Sequence, residues 1–580
     1  MHRHPLLLLA LLLAAAACPS HVNARSLTIE SFEATIVVNL DGSIQVTETI
    51  RPRFVGTWNG IYRTIPVEYR TPQGLNYTLF LSFQAITDDA GRPLKYEHSR
   101  ERHYRKFKIW VPGATNATRT IVLRYRVENG LKFFEEHDEL YWNVTGDEWQ
   151  VPIRAASARF QLPPGVTGLR AVAFTGAYGS REQAASVETG ESEVAIRMQR
   201  PLSFREGLTV AVGWDPGVLH RPGLLALSAL FLRSNWMFCV PLGIFVVMFW
   251  LWYSRGRDPR RRPIAPQYDP PEGLTPAEMG TLVDNSPDMR DIIATLVDLA
   301  VRGYLQIQEH EAKKLLGLRT SHEYLFSMRK SAHAWKELQP HEQALLDSLF
   351  SGGVRHSVES STLQNTFYAR LPGIRDRIFS RLLERGYYTQ RPDKVRRRYV
   401  MVGILVGFLI GAGEVLVGSH LGQSLLPAAV SAVLSAAITM GFGLVMPART
   451  PRGTRALEGI LGFEDFLTRV EGDRLRRMVK TPEMFEKFLP YAMALGVAKN
   501  WARAFEDIYR EPPDWYRGGD FQTFNARAFA SDLGHMSSQT AEAMASSPRS
   551  SGGSGFDGGG GGGGGGSSGG GMGGGGGGGF

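Results

Sequence analysis

Hydrophobic and polar positions alternate with period two over much of the first 220 residues. Phe32, Ala34, Ile36, Val38 and Leu40 share one face, Asp41-Gly42 supplies a turn, and Ile44 and Val46 resume the alternation. That spacing predicts a β-hairpin. The pattern returns at Phe107, Ile109 and Val111, at Ile121, Leu123, Tyr125 and Val127, at Ala158, Phe160 and Leu162, and at Leu208, Val210, Val212 and Trp214. Pro and Gly punctuate the gaps, and no long helical period appears. Residues 25–220 are therefore expected to form an antiparallel β-sandwich, with a subsidiary sheet as a variant. A stretch of roughly 200 residues can bury a core of its own.

Four apolar runs interrupt or precede this pattern. Leu6 to Ala17 is too short for the ~30 Å of hydrocarbon that needs roughly 20 helical residues. With Arg3 before it and Val22-Asn23-Ala24 after it, residues 1–24 read as a signal peptide cut at Arg25. The rival reading is a lipoprotein acylated on Cys18. Residues 236–253, 399–418 and 423–446 are long enough to span. Arg255, Arg257, Arg260, Arg261 and Arg262 follow the first; Lys394, Arg396, Arg397 and Arg398 precede the second; Arg449, Arg452 and Arg455 follow the third. Basic residues stay in the cytoplasm. The expected topology puts residues 25–235 outside, residues 254–398 and the C-terminus inside, and only a few residues near Ser419 to Gly422 across. Leu224 to Leu232 is apolar but is cut short by Arg233.

The period changes to a helical one in the cytoplasmic segments. In residues 254–398 a Pro-rich linker leads to Ile292, Ile293, Leu296, Val297 and Ala300 on one face. Arg302-Gly303-Tyr304 ends that face, and Leu305 and Ile307 read as a strand. A second helix, with Ile378, Leu382 and Leu383, ends at Arg385-Gly386-Tyr387. Helix, Arg-Gly-Tyr, extended run is the order of a winged-helix module, and two copies suggest a tandem, used here for binding protein rather than DNA. Residues 447–535 read as helical, with Asp465, Glu471 and Asp473 set against Arg469, Arg474, Arg476 and Arg477 on a solvated face. Residues 536–580 turn to Ala, Ser and nearly pure Gly, and are expected to be a disordered tail or tether, with Phe580 as its anchor.

Composition adds little to this. The net charge of +9 follows partly from the basic flanks and points to anionic lipid rather than nucleic acid. The two cysteines, Cys18 and Cys239, leave the outer domain without a disulfide.

Candidate chemistry concentrates in two turn-rich stretches. One contains Trp58, Tyr62 and Arg63; the other contains Tyr141, Trp142, Asn143, Asp147, Glu148 and Trp149. Aromatic faces beside Arg and carboxylates make a ligand surface for glycan or peptide; the other reading has the same aromatics packing the sandwich while the polar groups cap turns. The acidic run Glu135 to Glu139 is expected to be a solvated loop rather than a cation site, and no cofactor is expected. In the membrane hairpin, Gly403, Gly407 and Gly411 form one row and Ala428, Ala432 and Ala436 another, a spacing that lets helices approach closely. Glu414 lies about a turn from the outer end of its span, where it is expected to reach the interface; the competing role is an intramembrane proton or ion site.

Taken together the chain resembles the YciQ-like family of bacterial membrane proteins, the domain of unknown function 2207. The resemblance rests on Gly60-Ile-Tyr-Arg-Thr-Ile-Pro66, Tyr141-Trp-Asn-Val-Thr-Gly-Asp-Glu-Trp149, Pro270-Pro-Glu-Gly-Leu-Thr-Pro-Ala-Glu-Met279, Arg290-Asp-Ile-Ile-Ala-Thr-Leu-Val-Asp-Leu299, Arg302-Gly-Tyr304 and Phe485-Glu-Lys-Phe-Leu-Pro-Tyr-Ala-Met-Ala-Leu-Gly496. It implies a secreted N-terminal domain, membrane spans and cytoplasmic segments, with no activity or catalytic residue to carry over. The reading is a multi-domain protein of the bacterial inner membrane that couples an outer recognition domain to a cytoplasmic protein-binding region, as a non-enzymatic sensor or scaffold. It would touch lipid and meet protein partners on both sides. The alternatives are a membrane-assembly or transport accessory factor and an envelope hydrolase.

Overall fold

The computed structural model describes residues 25–314, 319–469, 481–506, 508–509, 511–518, 525–547, 568 and 571–580. The expectations for residues 1–24, for the charged run 471–477 and for the tail between 548 and 567 fall outside these. The chain divides into a β unit, drawn from residues 1–243, 407–435 and 558–580, and a helical unit, drawn from 244–406 and 436–557.

Alternation builds the β unit as expected. Its first eight strands are β1 (Ser26–Val38), β2 (Ile44–Val55), β3 (Gly60–Pro66), β4 (Glu68–Arg70), β5 (Asn76–Thr78), β6 (Phe80–Thr87), β7 (Tyr96–Glu101) and β8 (Tyr104–Trp110). Then come β9 (Ile121–Glu128), β10 (Lys132–Phe133), β11 (Asp138–Asn143), β12 (Ala156–Gln161), β13 (Arg170–Ala177), β14 (Ala185–Thr189), β15 (Glu193–Met198) and β16 (Glu206–Trp214). A seven-stranded sheet runs β14-β15-β12-β1-β2-β9-β6, and a four-stranded one runs β10-β11-β16-β13. One core serves them, with Phe32, Ile36, Val46, Ile65, Phe107, Trp142, Trp149, Phe160 and Trp214 all buried. The β1–β2 turn falls at Asp41-Gly42, where Gly42 has φ 76° and the Asp41 carboxylate accepts from the Ser43 amide at 3.0 Å. The expectation of a purely antiparallel arrangement needs one correction: β1 pairs with β12 in parallel. These strands lie far apart in the chain, so no local signal sets their direction.

The β unit also contains the ends of the membrane helices. Among the described residues, three helical stretches are long and apolar enough to cross a membrane: Trp236–Gly256, Pro392–Leu421 and Leu425–Val445. The short α1 (Leu224–Ser234) precedes α2 (Cys239–Leu251). Asn76 ties the β-strands to these elements. Its amide donates to Asn235 Oδ1 at 3.0 Å, its carbonyl accepts from Asn235 Nδ2 at 3.0 Å, and its Oδ1 accepts from the Ser424 amide at 2.6 Å. Arg100 binds Glu68 and also donates to the Leu421 carbonyl at 3.3 Å.

In the helical unit, α3 (Pro276–Asp284) and α4 (Met289–Val301) open on capping boxes built by Thr275 with Glu278 and by Asp288 with Asp291. α5 (Pro340–Phe350) and α6 (Leu371–Glu384) pack on them, followed by α7 (Pro392–Leu421) and α8 (Leu425–Val445), the two later spans. After the spans come α9 (Pro451–Arg469), α10 (Pro482–Ala494), α11 (Ala498–Arg503) and α12 (Ala526–Ala545). Phe463, Phe466, Phe488 and Trp501 meet edge-to-face in the middle. The helical reading of 447–535 thus extends about ten residues further, to Ala545, into what the composition assigned to a tail.

The tandem winged-helix expectation is corrected. After α4, Arg302-Gly303-Tyr304 leads into a hairpin of β17 (Leu305–Lys314) and β18 (Arg319–Met328), flanked by β19 (Ser357–Glu359) and β20 (Tyr516–Arg517). After α6, Arg385-Gly386-Tyr387 leads only to an isolated bridge between Tyr388 and Arg449, and Pro392 then starts α7. What repeats is a helix stop. Gly303 (φ 74°) and Gly386 (φ 72°) are left-handed; the Gly amides bond Ala300 and Leu383, and the Tyr amides bond Leu299 and Leu382. That is the Schellman pattern, which favours Gly at the first residue past the cap.

His341, on α5, is buried with its Nε2 3.1 Å from Thr275 Oγ1. Burial, with Arg302, Arg381 and Arg385 nearby, pushes its pKa from an ordinary 6.5 down to about 3. Between those values the unfolded chain binds the extra proton, so stability is full above the ordinary value and is lost as pH falls toward the folded one. Melting temperatures at about pH 7 and about pH 4.5, one on each side of that ordinary value, should show that His341→Gln loses less on acidification than the parent protein; an equal loss in both would refute the assignment.

Candidate functional site

The third sheet of the β unit runs β21-β3-β8-β7, and its edge strand β21 is Gly576–Gly579. β3 pairs with β8 on one side and with this glycine strand on the other, through Gly576↔Thr64, Gly577↔Arg63, Gly578↔Tyr62 and Gly579↔Ile61. The expectation of a disordered tail is corrected here for residues 571–580. The segment has almost no side chains to bury, but its backbone has donors and acceptors, and the host has a groove that uses both.

The groove is assembled from the two stretches picked out by composition. The Met572 amide donates to the Tyr141 carbonyl at 2.8 Å, and the Asn143 amide donates to the Met572 carbonyl at 2.6 Å. The Glu148 amide donates to Gly575 and the Gln150 amide to Gly577, at 3.0 and 3.2 Å. Arg63 Nη1 donates to the Gly574 carbonyl at 2.9 Å, and the Tyr69 hydroxyl accepts from the Gly573 amide at 2.9 Å. The Trp142 ring lies beside Gly573, Trp149 beside Gly577 and Trp58 beside Gly579. Phe580 packs on Tyr62 with ring centres 4.8 Å apart and meets Trp110 edge-on at 5.7 Å, with Lys108 Nζ 4.7 Å from its ring. Asp147 lines the open end of the same depression with Glu148, Gln150, Lys106 and Arg205. All nine candidate residues therefore converge on one groove. Trp142 and Trp149 belong to the core as well, so the packing reading and the surface reading describe two faces of the same rings.

A buried ion pair forms the floor. Arg63 donates from Nε and Nη2 to the two oxygens of Glu48 at 2.8 and 2.7 Å, and neither side chain is exposed beyond 1%. Tyr125 donates to the same carboxylate at 2.7 Å. Burial works against the Arg63 charge, but Glu48 outweighs it and holds the guanidinium above its ordinary pKa. Burial first, then Glu48, pushes the Tyr125 phenol well up. The sequence reading missed Glu48, Tyr125, Thr64 and Tyr69. A signal for Glu48 existed: it occupies an inward position between Val46 and Ile50 on β2, where a carboxylate needs a partner.

The groove connects to the membrane elements through adjacent residues. Tyr69 holds Gly573, while its neighbour Glu68 holds Arg100, which reaches Leu421.

The remaining candidates lie in the spans. A Cβ on Gly411 would sit 3.2 Å from that of Ala432, and one on Gly403 would sit 3.1 Å from the Ala436 carbonyl oxygen. The two small-residue rows thus face each other; Gly407 is half-buried and Ala428 buried. Glu414 does not reach the interface as expected. It is 5% exposed, and its Oε1 lies 2.9 Å from Ser431 Oγ, whose single hydroxyl hydrogen it shares with the Met237 carbonyl, also at 2.9 Å. Its helix face turns it toward the neighbouring spans rather than outward. Of the acidic run, Asp138 is buried against Arg221, and among the described residues no group of three or more His, Cys, Asp and Glu could hold a metal ion.

Comparison with known proteins follows the same division. A family model described as "Predicted membrane protein (DUF2207) N-terminal domain" matches residues 28–214, and one described as the DUF2207 C-terminal domain matches residues 263–505. No curated protein matches. Among solved structures, native leukotriene A4 hydrolase from Saccharomyces cerevisiae aligns at 10% identity and a TM-score of 0.23, over 32% of this chain and 29% of its own. An M1 zinc metallopeptidase from Deinococcus radiodurans aligns at 10% identity and a TM-score of 0.21, over 32% of this chain and 42% of its own. Similarities at that level carry no argument here.

Proposed function

Because the chain belongs to the DUF2207 family of predicted membrane proteins, whose name carries no activity, we propose its role from its groove: the β unit is an extracytoplasmic recognition domain for an extended peptide strand. The protein would act as a sensor or scaffold in the bacterial inner membrane, with the helical unit as its cytoplasmic, protein-binding region. One observation carries this reading. The nine aromatic and polar residues of two separate stretches line a single groove beside the edge of β3, and a strand already lies along that edge. Adding a strand to an open edge gives affinity through main-chain hydrogen bonds, while flanking pockets give specificity. The recognition reading is favoured over an envelope hydrolase because the nearby carboxylates are engaged: Glu148 by Tyr104 and Asp147 by Asn143. The Glu68–Arg100–Leu421 contact offers a path from groove to membrane hairpin.

The test is direct binding. The protein truncated after residue 567, purified in detergent, is titrated with a fluorescent peptide of the sequence of residues 571–580. Saturable binding is expected, and it should weaken at least tenfold when the glycine corresponding to Gly577 is valine. Signal no greater than that of empty micelles, or equal binding of the valine peptide, would overturn the reading.

A further inference from the structure

We propose that the cavity beside α1 binds one anionic phospholipid of the outer leaflet, with an acyl chain against the helix and the phosphate among four basic side chains at the mouth. The site is separate from the groove at β3. α1 has a single polar side chain, Ser228, among its first nine residues, Leu224 to Leu232. An amphipathic surface helix keeps a polar face for water, whereas a helix that is apolar all round belongs in a core or in hydrocarbon. No core takes this one. Leu224 and Leu225 are 84% and 89% exposed, and Leu227, Phe231 and Leu232 are exposed as well. Its 11 residues rise about 16 Å, roughly half the thickness of the hydrocarbon, so α1 does not cross. It leads into the end of the first span that the basic flanks place outside, and membrane lipid is the solvent that covers it.

The chain is anchored where α1 ends. Asn235 breaks the helix at φ −121° and ψ 51°, and its side chain bonds both the amide and the carbonyl of Asn76 on β5. The Thr78 amide donates to Ser234 Oγ at 3.4 Å. From this point α1 stands off the strands and leaves a cavity of about 840 Å³, within the ~300–1,000 Å³ of small-molecule sites. Ala226, Leu227, Ala229 and Leu230 of α1 form one wall, and Tyr77, Leu131 and Phe133 face them.

The mouth is basic. Arg126, Lys132, Arg221 and Arg233 line it against two carboxylates, Asp41 and Glu128. Lys132, Arg221 and Arg233 are exposed and Arg126 is half-buried. Arg221 donates to the Phe134 carbonyl and to the buried Asp138, each at 2.7 Å, which fixes it at the rim. The guanidinium carbon of Arg233 sits 3.9 Å over the Phe80 ring centre and its Nη1 lies 3.6 Å from Glu128, while Arg126 pairs with Asp41 at the surface. Exposed pairs of this kind contribute little, and phosphate accepts from guanidinium groups in a bidentate fork, so a headgroup can take the place of Asp41 and Glu128. Positive charge is in excess even with Asp138 counted. A soluble anion would leave the α1 wall to water. A peptide would bring backbone donors and acceptors that an alkyl wall cannot bond. An acyl chain with an anionic head satisfies both parts.

Photolabelling of the full-length protein in nanodiscs tests this. The discs are phosphatidylcholine with a small, constant share of phosphatidylglycerol that carries a diazirine in one acyl chain. Adducts are expected on residues 226–230 and 131–134. Replacing part of the phosphatidylcholine by unlabelled phosphatidylglycerol should reduce them at least about fivefold, while adducts on α2, which report boundary lipid, fall less than about twofold. Lys132→Glu with Arg126→Glu should remove the cavity adducts to the same extent, and so should Leu227→Trp with Leu230→Trp, which fills the cavity. Adducts on α2 should be unchanged in both variants, as they are when the protein folds and inserts normally. Adducts that respond alike in the cavity and on α2 would mean boundary lipid only. Competition by soluble glycerol phosphate would assign the mouth to free anions, and equal labelling by a diazirine phosphatidylcholine would remove the requirement for an anionic head. Each of these three results overturns the proposal.

Discussion

Replacing Arg63 with alanine is expected to cost the β unit about 3–5 kcal/mol, the range for breaking a buried ion pair by removing one partner. The reason is what remains. Glu48 would be left 1% exposed with Tyr125 as its surviving side-chain donor, and a carboxylate in that setting must be desolvated without compensation or take up a proton. Arg63 also donates to the Thr64 and Gly574 carbonyls, so alanine frees the edge that holds the glycine strand. For a unit of this size the loss corresponds to a fall in melting temperature of roughly 10 °C. The double variant Arg63→Met with Glu48→Leu should recover most of that stability, since a buried pair is often replaced by apolar side chains at little cost. It should not recover the strand, because the donor to Gly574 is gone. Thermal melts of the full-length protein in detergent, followed by tryptophan fluorescence, separate these outcomes. A loss under about 1 kcal/mol for Arg63→Ala, the scale of an exposed pair, would mean that the pair is solvated and the floor of the groove is not the one described.

The parts of this fold that were legible in the sequence are those set by short-range periods. Alternation at Phe32 to Val46 gives β1, the turn and β2, and continuous apolar runs with basic flanks give three spans. Small-residue rows on α7 and α8 give the contact between Gly411 and Ala432. Even the groove was half visible, since Trp58, Tyr62 and Arg63 announced one wall and Tyr141 to Trp149 the other. Their meeting was not, because β3 and β11 are brought together only by long-range pairing. The glycine segment failed for a different reason. Its composition says that it can bury nothing of its own, which is true; what composition omits is that absent side chains let a backbone lie flat on indole rings and bond both neighbours. The Arg-Gly-Tyr repeats erred in the opposite sense. They were legible as local structure, a helix stop, and were over-read as a repeated module.

Arg449 shows how far a topological signal can hide a structural one. In the sequence it belongs to the basic cluster after the third span and reads as a charge that stays in the cytoplasm. In the fold it is 7% exposed. Its Nη1 donates to Asp258 Oδ2 at 2.6 Å, its amide donates to Asp258 Oδ1 at 2.7 Å, and its Nε and Nη2 donate to the Leu282 carbonyl at 3.0 and 2.7 Å, with Val283 at 2.8 Å. Leu282 and Val283 belong to the last turn of α3, whose free carbonyls attract a cation. One planar guanidinium thus joins the segment after the first span, the end of α3 and the start of α9. Lysine keeps the charge but not the fork. Arg449→Lys should therefore leave topology unchanged, as read by reporter fusions after residue 455, while lowering the stability of the helical unit by about 2 kcal/mol, the scale of losing hydrogen bonds to a charged group. Arg452→Lys, whose side chain is 57% exposed beside Glu272, should change stability by less than about 0.5 kcal/mol, as surface pairs do. If both lysine variants melt alike, Arg449 is a topological charge only, and the clamp between α3 and the spans does not bear on stability.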